Sequence, residues 1–427
     1  MRLFIKILLL TLCSSNVFPQ SGWIHQNSGI TNNINSVKFV NSNTGWCVGD
    51  VGVILNTTNR GINWIQQSSG SDINLLSVSF PSANTGFAVG DSGLILKTTN
   101  GGNSWIKLNT SITNFLKSVF FVNENIGFTG GFFGEPINIY KTTNGGVAWD
   151  STQVIEAQYI TSIQFLNLSL GWATMGAFVA TDEFVSKTTN GGIDWVIQSI
   201  NYSMHPKTVF FSDSLNGWLS GKSSVGVPTI FRTTNSGVNW ITEFPGTGYI
   251  INSLYFTDKR NGWAAGDNRI IQATTNGGIN WINQTTSQAG INYNSVYFTD
   301  SLTGWVVGDS GTILKTTNGG VLTNFTNTST EIPDKYFLSQ NYPNPFNPVT
   351  YLEFGISELE FVSLKIFDVL GNEVSTIVNE NKPPGRYEVT FNASNARQGS
   401  DLPSGIYFYS LLIDGNTMDT KRMVLLK

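Results

Sequence analysis

The chain has 427 residues, of which 40% are hydrophobic, 12% aromatic and only 12% charged. Low charge beside 44 glycines, 12 tryptophans and 28 phenylalanines describes a folded protein of many short strands and tight turns, and excludes a disordered one. The 24 basic residues are outnumbered by 28 acidic ones, so no basic footprint for nucleic acid is present.

At the N-terminus Arg2 and Lys6 precede the apolar run Ile7–Leu12, followed by small and polar residues. This layout predicts a secretory signal peptide over residues 1–20, with an apolar run too short to span a bilayer. Leu12 stands where a lipoprotein signal needs a small residue ahead of Cys13. No later segment predicts a membrane-spanning helix. Loss of Arg2 and Lys6 leaves 22 basic against 28 acidic residues, a net charge of −6. It also leaves Cys47 as the one cysteine, so no intramolecular disulfide can form and stability must come from packing.

The triplet Thr-Thr-Asn begins at Thr57, Thr98, Thr142, Thr188, Thr233, Thr274 and Thr316, at intervals of 41, 44, 46, 45, 41 and 42 residues. That period fits a four-stranded propeller blade. Residues 75–80, 85–91, 93–99 and 104–108 read as the four strands of one unit. Asn-Gly after the third strand predicts a type I′ turn, in which both central residues take positive φ. Six copies end in a tryptophan seven residues on: Trp64, Trp105, Trp149, Trp195, Trp240 and Trp281. The seventh places Thr323 there, while Trp23 stands one repeat before Trp64. The N-terminal strand is therefore expected to complete blade seven, closing a seven-bladed ring with no exposed edge.

The phrase Thr98-Thr99-Asn100-Gly101-Gly102-Asn103-Ser104-Trp105 resembles the Asp-box of sialidase-type (BNR) propellers, with Asn at the usual Asp position. With the pairs Gly45-Trp46, Gly86-Phe87 and Gly304-Trp305, the chain resembles the photosystem II stability/assembly factor family of propellers. The resemblance implies a propeller over residues 21–320 whose Asp-boxes are structural hairpins opposite a ligand face. It implies no particular activity, because propellers host unrelated ones.

Residues 321–335 are rich in Thr, Asn and Ser and read as a linker. Pro343, Pro345 and Pro348 then argue against regular strand pairing, and three alternating segments follow (362–374, 386–391 and 404–426), the last turning at Asp414-Gly415. An antiparallel β-sandwich is expected. The motif Tyr342-Pro343-Asn344-Pro345-Phe346-Asn347, with the later "FDVLGNEV", "LPSGIYFY" and "KRMVLLK", resembles the type A C-terminal sorting domain of the type IX secretion system, here residues 336–427. That resemblance implies the secretion machinery and its sorting peptidase as partners, and an outer-membrane surface or extracellular destination.

Chemistry is sparse in the propeller. Arg60, Arg232, Arg260 and Arg269 do not assemble the arginine triad of a sialidase. Glu135, Glu156, Asp182 and Glu183 are candidate glycosidase carboxylates by loop position alone, and a glycosidase needs two flanking one bond. His25 and His205 cannot make a His-rich metal centre, and Cys47 reads as a small core residue. Asp50, Asp91, Asp267 and Asp309 each follow a glycine between second and third strands and read as turn stabilisers, since calcium wants six to eight oxygens. No metal or cofactor is expected.

Blades three, four and five replace that short turn with longer loops at 130–138, 175–185 and 221–229. With the loops connecting successive blades, such as 151–160 and 200–207, these gather Phe132, Phe133, Tyr159, Phe178, Tyr202 and Tyr249 on one face, where clustered aromatics suit a glycan or a protein. The expected function is a monomeric, exported, non-catalytic binding module. The alternatives are a secreted polysaccharide-active enzyme and a structural surface spacer.

Overall fold

A computed structural model describes residues 22–132, 138–153, 159–176, 184–200, 204–223, 228–245, 248–284, 286, 290–320, 326–329, 333–358, 360–382, 384–393 and 402–426. The expected signal peptide lies outside these residues. Among them no helix is long and apolar enough to cross a membrane.

Seven blades of four antiparallel strands follow one another along the chain. Blade 1 runs Ile34–Phe39, Gly45–Gly49, Ile54–Thr57 and Ile65–Gln67. In blade 7 the chain supplies Tyr293–Phe298, Gly304–Gly308 and Ile313–Gly320, and the N-terminal strand Gly22–Gln26 pairs with the last of these. Trp23 is 1% exposed and donates its indole N–H to Gln284 Oε1 at 2.7 Å. The missing seventh tryptophan is Trp23.

One aromatic arrangement repeats at all seven blade junctions. The phenylalanine ending each first strand lies across the glycine opposite it, as Phe39 does over Gly45, where a Cβ would overlap the ring. Its other face stacks on the aromatic residue of the preceding blade's second strand. Trp46–Phe80, Phe87–Phe121, Phe128–Phe165, Trp172–Phe211, Trp218–Phe256, Trp263–Phe298 and Trp305–Phe39 have centroids 3.5–3.8 Å apart. The Asp-box tryptophan of each blade meets the same phenylalanine edge-on, Trp23 on Phe298 at 5.8 Å included. This is why the sequence repeats Gly-Trp or Gly-Phe: the glycine makes room for one ring, and the next residue stacks on another. Each such pair adds about 0.5–1.5 kcal/mol beyond the area it buries.

Near the axis, serine hydroxyls carry a second link. Ser36 Oγ accepts from Val78 N, Ser77 from Val119 N, Ser118 from Ile163 N, Ser253 from Val296 N and Ser295 from Val37 N, at 3.0–3.3 Å. Cys47 is fully buried among Val37, Leu55 and Trp305, and burial raises its thiol pKa.

The Asp-box loop differs from the expected turn. The positive φ values fall on the two residues after the asparagine, Gly101 (67°) and Gly102 (89°) in blade 2, rather than on Asn100 and Gly101. Thr98 Oγ1 accepts from Gly102 N at 2.8 Å, and Asn100 Oδ1 accepts from Ser104 N at 2.9 Å. The threonine and asparagine side chains therefore close the loop, which accounts for their recurrence.

Beyond the propeller, a pair of four-stranded sheets forms a sandwich around Leu352, Phe354, Leu364, Ile366, Tyr409 and Met423. Residues Thr326–Ser329, within the expected linker, pair with Gly385–Asn392 and belong to one sheet. The proline-rich motif is also more integrated than its prolines suggest. Tyr342 and Tyr351 exchange backbone hydrogen bonds, Phe346 bridges to Leu425, and its ring is 2% exposed. Pairing proceeds at the non-proline positions. Asp414 and Gly415 take φ of 48° and 84°, the expected hairpin turn.

Two outcomes test the ring. Trp23→Ala should lower the unfolding free energy by about 3–5 kcal/mol, as for a buried tryptophan elsewhere; an unchanged denaturation midpoint would refute closure by this strand. Gly304→Ala, whose Cβ would collide with Phe298, should cost at least about 1–3 kcal/mol in the same assay.

Candidate functional site at the channel mouth

Every innermost strand breaks register at the same place: 34/36, 75/77, 116/118, 160/162, 206/208, 251/253 and 293/295. A β-bulge frees one residue from the ladder and re-aims its side chain. The seven freed residues are Asn35, Leu76, Lys117, Thr161, Lys207, Asn252 and Asn294, and all line one cavity of about 750 Å³ where the inner strands converge. Such a volume is typical of a small-ligand or peptide site.

Blades 1, 2, 6 and 7 brace the mouth with polar clamps. Asn35 Nδ2 donates to Asp50 Oδ1 at 2.8 Å and to the carbonyl of Leu75 in the next blade at 2.9 Å. Asn252 does the same with Asp267 and Tyr293, and Asn294 with Asp309 and Ile34. Ahead of the strand, Asn33 and Asn74 donate to Asp50 and Asp91. Their amide oxygens accept from the preceding blade's turn, at Ser310 N and Val51 N. The four aspartates therefore brace blade to blade as well as turning the chain.

At their described residues, blades 3 to 5 do not carry this clamp. Leu116 pairs with Gly131, Ile160 with Met175 and Pro206 with Gly221, as Ile34 pairs with Gly49. Phe132, Gly176 and Lys222 therefore stand where Asp50 stands. By the same alignment Phe115, Tyr159 and His205 occupy the position of Asn33. The first strands here are longer, at 7, 7 and 8 residues against 5 or 6 in the other blades. Phe132 even pairs with Tyr159 across the blade boundary, fusing blades 3 and 4 into one sheet.

Of the aromatic residues expected at this face, the structure brings Phe132 and Tyr159 together on the cavity wall, rings edge-on at 6.3 Å. Tyr159 is 8% exposed, packed over Gly176 with its hydroxyl 3.4 Å from His205 Nδ1, so it forms wall rather than platform. Tyr249 is exposed but does not line the cavity. Phe133, Phe178 and Tyr202 lie outside the described residues, as do Glu135, Glu156, Asp182 and Glu183. None of Arg60, Arg232, Arg260 and Arg269 lines the cavity.

Lys117 and Lys207 were not legible as site residues from a reading of loops. Aligning the inner strands on Ser-aliphatic-x-Phe would have exposed them as the residue before the serine or threonine. Burial lowers the pKa of Lys117, and repulsion from Lys207 lowers it further, while Asp91 and Asp50 act the other way. Among the described residues, no group of three or more His, Cys, Asp or Glu is placed to hold a metal.

Known proteins share this fold. YCF48 from Cyanidioschyzon merolae is 20% identical, with a TM-score of 0.57 over 69% of this chain and 98% of its own. A structure of YCF48 bound to D1 peptide is also 20% identical, with a TM-score of 0.57 over 70% and 97%. The GH74 xyloglucanase from Xanthomonas campestris is 10% identical, with a TM-score of 0.56 over 78% of this chain and 59% of its own. These likenesses are of fold. No curated protein sequence matches the chain. Residues 340–425 match the Secretion system C-terminal sorting domain, and residues 16–158 and 246–339 match the Photosynthesis system II assembly factor YCF48 family. The gap in that match, 159–245, spans blades 4 and 5, while blade 3 lies within the match. By its matched repeats the chain belongs to the YCF48 family of BNR propellers, joined here to a type IX secretion sorting domain.

Proposed function

We propose that this protein is a secreted, non-catalytic recognition module whose propeller holds a segment of a protein partner in the channel mouth at blades 3 to 5. The observation that carries the reading is the coordinated loss of the Asn–Asp clamp from three consecutive blades, beside a 750 Å³ cavity lined by Phe132, Tyr159, His205 and the two lysines. A ring built only as a spacer has no use for breaking its brace in one sector. The YCF48 structure with a bound peptide supports a protein ligand for this fold. A binding role is favoured over hydrolysis because each aspartate of the described mouth already accepts an asparagine amide. The sorting domain supplies delivery by the type IX machinery to the cell surface or medium.

A glycan is the second reading, favoured by the Phe132–Tyr159 pair and by the fold shared with a xyloglucanase.

Two experiments test this. The secreted protein and its Phe132→Ala variant are compared on a random-peptide array and a glycan array, with Val147→Ser on the Asp-box side as control. Loss of about tenfold or more in Phe132→Ala alone is expected, as for truncating a buried aromatic anchor. Binding that survives Phe132→Ala and falls with Val147→Ser refutes the site. Separately, a chain lacking residues 336–427 should accumulate in the periplasm; normal surface display would contradict the delivery route.

A further inference from the structure

We infer that Lys117 and Lys207 form an anion seat inside the channel mouth and that the segment bound there is an acidic peptide, with a side-chain carboxylate held between the two ammonium groups. The inference rests on the recognition reading above and gives its ligand a charge.

The bulge position itself makes no demand for lysine. In blades 1, 6 and 7 it is asparagine, which spends its amide on the turn aspartate and the next blade's carbonyl. Blade 2 uses Leu76 and blade 4 uses Thr161, which donates to the carbonyl of Pro206 at 3.0 Å. Lysine appears only in blades 3 and 5, which have lost the aspartate that would have answered it. Phe132 and Lys222 stand in its place. Among the described residues, neither Lys117 nor Lys207 makes a hydrogen bond or ion pair, although both line the cavity.

Lys117 and Lys207 repel each other at one cavity wall, with Asp91 and Asp50 acting the other way on Lys117. An arriving carboxylate gains charge-assisted hydrogen bonds from both and removes their repulsion. The opposite wall argues for peptide over acidic glycan. There Asn35, Asn252 and Asn294 hold their aspartates in fixed orientation, so among the described residues the mouth sets the aspartates of blades 6, 7, 1 and 2 against Lys117 and Lys207 of blades 3 and 5. An acidic peptide can set one carboxylate between the lysines and turn uncharged amide dipoles to the acidic half, whereas a polyuronate repeats its charge at every residue and meets that half with like charge.

The test uses the full secreted protein on the random-peptide array at two salt concentrations, beside Lys117→Met/Lys207→Met and Lys117→Arg/Lys207→Arg, with polygalacturonate as a separate arm. Thermal melting checks that each variant folds. Expected are peptides enriched in Asp and Glu, weakened by salt, lost at least about tenfold in the Met pair and retained in the Arg pair. Peptides that depend on Phe132 but show no acidic enrichment, or bind the Met pair equally, overturn the anion seat and leave the recognition reading standing. Tighter, lysine-dependent binding of polygalacturonate overturns the peptide assignment. No binding on either arm overturns both.

Discussion

Seven phenylalanines hold this propeller together. Each is pressed between a glycine of its own blade and a tryptophan or phenylalanine of the blade before, with an Asp-box tryptophan against its edge. Blade packing is the same contact made seven times, so the ring closes only if the last blade can complete it. Trp305 stacks on Phe39 across the closure, and Trp23 arrives from the N-terminus to take the edge position on Phe298. The serine links near the axis add a polar contact between neighbouring blades.

Because the aromatic contacts sit away from the mouth, the residues at the mouth are free to vary without loosening the ring. Four blades use that freedom to add a polar brace, in which asparagines bind aspartates of their own blade and backbone of the adjacent one. Three consecutive blades do without the Asn–Asp clamp at their described residues, with Thr161 and Ser220 still donating to the next blade's carbonyls, and keep the aromatic sandwich unchanged: Phe87–Phe121, Phe128–Phe165 and Trp172–Phe211 are stacked as closely as the rest. The scaffold is conserved within the molecule where stability needs it and diverges where the cavity lies.

The repeat count, the strand exchange and the sorting domain were legible because each is written in residues whose role is fixed by local geometry: Gly-Trp pairs, Thr-x-Asn loops, a tryptophan displaced by one period. The turn aspartates were half legible. Their place in a tight turn could be read, but their asparagine partners lie 15 and 17 residues away, as Asn35 and Asn33 do from Asp50, and only the strand pairing brings them together. Which residues share the cavity wall was legible only in part. Loop length pointed to blades 3 to 5, and Phe132 and Tyr159 do meet there. The lysines escaped notice because they sit inside strands, where alternation assigns a residue to one face or the other; a bulge suspends that rule and turns the side chain into the channel. Tyr249, expected at the same face, is exposed and does not line the cavity.

The central claim is one of place: the molecule works through the channel mouth at blades 3 to 5. A photo-crosslinking phenylalanine analogue at position 132, in the protein secreted by its own cells, tests it directly, with the same analogue at position 147 on the Asp-box side. The account predicts a discrete adduct from position 132 that is absent from position 147. Adducts from position 147 alone, or from neither, would contradict it.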